Sequence, residues 1–130
     1  MRRSVQFLTR FVGDLRASAA ALDTPREFFL GAMIDDRIIG VGGVTPDPYV
    51  DDPTTGRIRH LYVAAASRRR GVGAALMRAL EARACQQYDR LRLRTDTRDA
   101  ATFYERLGYV PVNHDTATHE GRCPQDGRWP

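Results

Sequence analysis

The stretch from Arg57 to Gln86 constrains the fold more than any other part of the chain, because its periodicity changes abruptly at one point. Arg57 to Val63, with Ile58, Leu61, Tyr62 and Val63, has the β-branched and aromatic content of a strand. After the turn Arg68-Arg69-Arg70-Gly71-Val72-Gly73, apolar residues recur at helical spacing up to about Gln86. Ala75, Leu76, Ala79, Leu80 and Ala84 would form the buried face, with Arg78, Glu81 and Arg83 toward solvent. A strand feeding a helix through a tight turn brings the helix back across the sheet, which points to an α/β arrangement.

The flanking segments fill out that arrangement. Residues 5 to 22 read as an amphipathic helix, since Leu8, Phe11, Val12, Leu15, Ala19 and Leu22 are spaced by threes and fours. Phe28 to Ile34 and Arg37 to Val44 are apolar runs joined by Asp35-Asp36, the pattern of a β-hairpin. Thr45 to Gly56, with three prolines and three aspartates, reads as a loop. Leu91 to Thr95 is a strand, and Arg98 to Leu107 a short helix that Gly108 ends as a left-handed cap. Val110 to Asn113 is the last clear strand. Thr116 to Thr118 could start another, and Gly121 to Pro130 reads as a frayed tail. A mixed sheet covered by helices follows, within one domain spanning residues 1–130.

Composition narrows the ligand rather than the fold. With 42% hydrophobic and 28% charged residues the chain reads as globular, and no apolar run reaches the length of a membrane span. The N-terminus lacks the apolar region of a secretion signal, so the cytoplasm is expected. Cys85 and Cys123 are then read as two ordinary thiols rather than a disulfide. His60, His114 and His119 form no motif with them, so no metal is expected. Every one of the 20 basic residues is arginine, and the net charge of +4 favours an anionic ligand.

The turn at Arg68 to Gly73 suits such a ligand. The first turn of a helix carries unpaired backbone N–H groups and the positive end of the helix dipole. Glycines let an anion approach those amides, and arginines add charge and planar donors matched to phosphate. A helix start with solvated arginines accounts for the same residues equally well. Leu76 stands where a Rossmann fingerprint has its third glycine, and a Walker loop would need a lysine. Nucleic acid is less suited, because no aromatic residues interleave with the arginines.

Two motifs together resemble the GNAT superfamily of acetyl-coenzyme A-dependent N-acyltransferases. Arg68-Arg69-Arg70-Gly71-Val72-Gly73 matches the family pattern Gln/Arg-x-x-Gly-x-Gly/Ala. One strand later, Ala100-Ala101-Thr102-Phe103-Tyr104-Glu105-Arg106-Leu107-Gly108-Tyr109 matches Ala-x-x-Phe-Tyr-Glu-Lys/Arg-x-Gly-Phe/Tyr. The resemblance covers Arg57 to Val112 strongly and extends back to Phe28.

It implies a mixed, mostly antiparallel sheet whose fourth and fifth strands splay, with pantetheine lying in the gap. Leu61, Tyr62 and Val63 would form the strand that pairs with it, through the backbone of Leu61 and Val63. Arg68, Arg69, Arg70, Gly71, Val72, Gly73 and Ala74 would hold the pyrophosphate. The acetyl group of acetyl-CoA would pass directly to a primary amine of a small molecule or peptide, and neither cysteine would be a nucleophile. Tyr104 matches the family's tyrosine beside the sulfur and would act as the acid. A glutamate that some members use as a base is Arg57 here, and His60 is not assigned that role. Thr97 replaces a frequent asparagine and keeps its capping ability. The N-terminal strand and second helix of the family look compressed into one helix, and the last strand looks poorly formed, although Ala117-Thr118-His119 resembles an Ala-Thr-His found near it. Asp47, Asp51 and Asp52 could favour a cationic acceptor, though a solvated turn is the simpler reading.

Two other functions fit the same residues: a non-catalytic acyl-CoA-binding module, and an acyltransferase acting on aminoacyl-tRNA. No membrane or metal partner is expected, and a homodimer is left open.

Overall fold

The structure is a computed structural model that describes residues 6–8, 23–68 and 71–124. Seven strands form one sheet in the order β1-β2-β3-β4-β5-β7-β6. They are β1 (Gln6–Leu8), β2 (Phe28–Ile34), β3 (Arg37–Pro46), β4 (Thr55–Val63), β5 (Arg90–Leu93), β6 (Val110–His114) and β7 (Ala117–Arg122). The helices are α1 (Val72–Ala84) and α2 (Arg98–Arg106), with a short 3-10 turn at Ala65–Ser67. Every strand pair is antiparallel except β4 with β5.

The hairpin forms where it is expected. Asp35 and Asp36 both take positive φ (52° and 65°), as a two-residue turn matched to strand twist requires, and aspartate tolerates this better than most residues. Several expectations are corrected. Gln6–Leu8 pair with Met33, Ala32 and Gly31 as a strand, so the helix read over residues 5 to 22 does not include them. The remainder of that reading, residues 5 and 9–22, lies outside the described residues. At the other end, β7 is a full strand that inserts between β5 and β6, and Gly121 and Arg122 belong to it rather than to a tail. Its sequence, Ala-Thr-His-Glu-Gly-Arg, is weakly apolar because only alternate residues face the core: Ala117, His119 and Gly121 are buried.

The third correction concerns the cysteines. Cys85, just past α1, and Cys123, just past β7, are bonded as a disulfide with Cα atoms 5.4 Å apart. Tertiary structure brings together two residues 38 apart, which no local spacing could indicate.

The core lies on one face of the sheet. Phe28, Leu30, Val44, Ile58, Leu91 and Leu93 meet Leu76, Met77, Leu80 and Ala84 of α1 and Tyr104 and Leu107 from α2 and its end. Glycines permit this close packing: a Cβ on Gly42 would come within 2.8 Å of Leu80, and one on Gly56 within 2.8 Å of Tyr88. Glu81, expected in solvent, is 2% exposed. Its carboxylate accepts from the Tyr109 hydroxyl (2.7 Å) and from Arg78 (2.7 Å), and Arg78 also donates to the carbonyl of Leu107 (3.0 Å). Burial raises the pKa of Glu81 and pushes that of Tyr109 strongly upward. This network ties the middle of α1 to the end of α2.

Candidate functional site

The fourth and fifth strands part company after three residues. Thr55, Gly56 and Arg57 pair in parallel with Arg90, Leu91 and Arg92; β4 then runs on to Val63 while β5 stops at Leu93. A bulge in β4 falls in the unpaired part. Val41 pairs with Tyr62, but two residues further along β3, Gly43 pairs with Arg59, so β4 carries one extra residue. His60 sits in that bulge with a φ of 54°, exposed and stacked 6.2 Å from Phe29.

The direction of the free backbone follows from register. Ala64 N–H donates to Ile39 C=O at 2.7 Å, so residue 64 points its polar groups toward β3. Successive residues alternate, so Val63 and Leu61 point theirs away from β3, into the gap that β5 leaves. These are the two residues expected to offer backbone pairing. Tyr62 instead pairs with Val41, and its side chain is 56% exposed.

The end of β4 leads through the Ala65–Ser67 turn to the start of α1. Arg68 does not project freely: its Nε donates to Val63 C=O at 2.9 Å, and its guanidinium lies 5.6 Å from the Tyr62 ring centre. Arg69 and Arg70 lie outside the described residues. Gly71 caps the helix with a left-handed φ of 78° and offers no side-chain cap, and a Cβ there would meet nothing within 4 Å. The first turn therefore presents its backbone donors at Val72, Gly73 and Ala74 with no acidic residue beside them. Gly73 has a different reason to be glycine: a Cβ would sit 3.2 Å from the Phe103 ring and 3.6 Å from Val63. That contact brings α2 against the same corner where β4 ends and α1 begins.

Thr97 caps α2, accepting from Ala100 N–H at 3.1 Å, and Gly108 follows the helix with a φ of 105°. The next residue after Phe103, Tyr104, turns into the core and is 8% exposed. Its ring packs edge-on against Phe103 (5.1 Å) and Tyr109 (6.0 Å) and lies 6.4 Å from His119. Burial pushes its pKa up to about 12, and its hydroxyl has no hydrogen-bond partner among the described residues. Beside it, His119 is held by Thr118 Oγ1 (2.9 Å) and Glu105 (2.8 Å).

A second polar cluster escaped the sequence reading. Arg57 and Arg92, partners across β4 and β5, flank Asp47, whose carboxylate accepts at 3.4 Å and 3.0 Å respectively. Arg92 also donates to Thr116 (3.0 Å), and Tyr49 N–H donates to Asp47 (2.8 Å). Asp47 is thus buried between arginines rather than facing solvent or an acceptor, and Asp52 is occupied in its own turn by Thr54 and Thr55. Those bonds hold the Asp52 carboxyl below its usual pKa. The only cue in the sequence was the alternation of arginine with leucine through Leu91–Arg94; the ten-residue separation of Asp47 and Arg57 concealed the rest. No metal-binding group of His, Cys, Asp and Glu is found among the described residues.

Known proteins share this architecture. A protein from Exiguobacterium sp. 255-15 described as an acetyltransferase superposes with a TM-score of 0.78, at 24% identity over 94% of both chains. One from Klebsiella pneumoniae described as an acyl-CoA N-acyltransferase gives 0.70, at 22% identity over 94% of this chain and 98% of its own. The ribosomal-protein-S18-alanine N-acetyltransferase of Escherichia coli gives 0.65, at 14% identity over 90% of each. At these identities the likeness concerns the fold. No curated protein sequence matches the chain. The model of the acetyltransferase (GNAT) family matches residues 3–109, and over that span, splayed strands and glycine-capped helix included, the chain belongs to the GNAT family.

Proposed function

We propose that the chain is an N-acetyltransferase that moves an acetyl group from acetyl-CoA directly to a primary amine. The observation that carries this reading is the continuity of three features: backbone on β4 at Leu61 and Val63 that β5 leaves unpaired, the turn at Arg68, and the uncapped start of α1. Backbone groups of Leu61 and Val63 would pair with the amide-bearing arm of the donor. Amides from Arg69 to Ala74 would bind its pyrophosphate, where the helix dipole favours negative charge. Arg68 would exchange its bond to Val63 for one to phosphate, freeing that carbonyl for the donor.

In the transfer, the acceptor nitrogen forms a bond to the thioester carbonyl carbon and the C–S bond breaks. Tyr104 is the residue proposed to meet the departing sulfur. A phenol near 12 is a weaker acid than a thiol, whose ordinary pKa is about 8.5. Tyr104 therefore stays protonated and donates a hydrogen bond to the developing thiolate. Of the two protons the acceptor ammonium loses in becoming an amide, one goes to solvent before attack and the other reaches the thiolate through water as the C–S bond breaks. His60 and His119 are not needed as bases in this scheme. This single domain, 1–130, is proposed to act in the cytoplasm.

Release of free thiol from acetyl-CoA across a broad amine panel tests the reading, with Tyr104→Phe alongside. Amine-dependent release that drops in the variant supports it. Tight CoA binding with no release, unchanged in Tyr104→Phe, would instead identify a non-catalytic acyl-CoA-binding module.

A further inference from the structure

Arg57 is a buried cation with too few partners. Its side chain is 9% exposed, yet among its five N–H donors only one at Nη1 reaches an acceptor among the described residues, Asp47 at a long 3.4 Å. Arg92 holds the same carboxylate more tightly, at 3.0 Å, and uses a second nitrogen on Thr116. Two buried guanidinium groups thus share one buried carboxylate, and the surplus charge rests on Arg57. The Tyr49 ring covers it at 4.8 Å, and Tyr49 itself is 57% exposed. Two residues along the same strand face, Arg59 spends its Nε on Thr45 (2.9 Å).

Position gives this surplus a use. Arg57 is the last residue of β4 that pairs with β5, so it stands at the apex of the gap in which the donor is proposed to lie. A fixed planar fork with unused donors suits a carboxylate more than any neutral group. We infer that the acceptor is an amine that also carries a carboxylate, and that Arg57, assisted by Arg59, binds this carboxylate while the amine faces the thioester. The inference rests on the acetyl-transfer reading for its chemistry, but binding of the carboxylate does not. It also reverses the charge preference that the aspartates of the 45–56 loop suggested, since Asp47 is consumed by Arg57 and Arg92.

The test compares glycine, glycinamide and a short amidated peptide beginning with aspartate, by thiol release and by calorimetric binding of their N-acetyl products. A carboxylate acceptor should exceed glycinamide in kcat/KM by about ten- to a hundredfold, chiefly through KM. Preference for glycine assigns the recognised group to the α-carboxylate of a free amino acid; preference for the peptide assigns it to a side chain at a peptide N-terminus. The ratio should collapse toward one in Arg57→Gln and persist in Arg90→Gln, a control on the same face whose guanidinium pairs with Glu120 at 3.3 Å. Equal use of all three acceptors, or a ratio unmoved by Arg57→Gln, would overturn the inference. If no amine is acetylated, Arg57-dependent binding of the carboxylate products sustains it and the transfer reading falls alone; products that bind no better than their amides would defeat it there too.

Discussion

Asp47→Ala and Arg57→Met should have very different effects on stability, although the two side chains touch. The Asp47 carboxylate is fully buried and is the partner that both Arg57 and Arg92 share. Removing it leaves two buried cations facing each other without an anion. Breaking a buried ion pair by deleting one partner costs about 3–5 kcal/mol. Arg57→Met leaves the shorter Asp47–Arg92 pair at 3.0 Å intact and removes only the surplus charge. It forfeits the contact with the Tyr49 ring, worth about 0.5–1 kcal/mol, and relieves part of a desolvation cost of several kcal/mol. The net change should stay within about 1 kcal/mol of the parent. Urea unfolding followed by circular dichroism measures both. With a slope of about 2 kcal/mol/M, Asp47→Ala should lower the midpoint by about 2 M, and Arg57→Met should move it by about 0.5 M or less in either direction. Equal losses in the two variants would refute the assignment of Arg57 as surplus, and with it the reason for giving Arg57 a ligand.

Other outcomes follow from the same geometry. Tyr104→Phe should lower kcat by about a hundredfold or more with little loss of stability, since its hydroxyl has no partner to forfeit among the described residues. Because the folded pKa of Tyr104 lies near 12, above the ordinary 10.0, its contribution to stability is complete below pH 10 and is lost as pH rises toward 12. Tyr109 and Tyr88 are raised as well, so ultraviolet titration should show several phenols fewer ionising near pH 10 in the native wild type than after denaturation, and Tyr104→Phe should reduce that deficit by one. Glu81, likewise raised, contributes stability that is complete below its unfolded value of 4.5 and declines as pH rises through its folded pKa. Measured unfolding should favour Glu81→Gln over the parent more at pH 7.5 than at pH 4. Gly71→Ala should cost about 1–2 kcal/mol from its left-handed backbone alone and weaken binding of CoA in calorimetry, whereas reducing the Cys85–Cys123 bridge should cost about 2–4 kcal/mol in the same urea assay.

What the sequence made legible was local. Asp35-Asp36 can form only a short turn, Thr97 can cap only the helix that follows it, and Gly108 can end it, so the hairpin and α2 stand where they were read. The pairing of Gly71 with Phe103-Tyr104 at one strand's separation was also local enough to identify the family. What failed was long-range. Glu81 is charged and was placed in solvent, but its partner Tyr109 lies 28 residues away. The strand β7 gains its place by filling the slot between β5 and β6, which its polar residues do not announce. Residues Gln6 to Leu8 fit a helical period yet pair as an edge strand, because β2 supplies the hydrogen bonds. The bulge at His60 left no mark in composition, and neither did the Asp47 cluster, assembled from four separate segments.

The central claim is that β4 and the start of α1 form one donor site, and amide chemical-shift mapping during a CoA titration tests it most directly. The largest shifts should fall on Leu61, Val63, Gly71, Val72, Gly73 and Ala74, which share the gap and the uncapped first turn. Saturating CoA that leaves these six amides unmoved, or moves a different surface, would contradict the account.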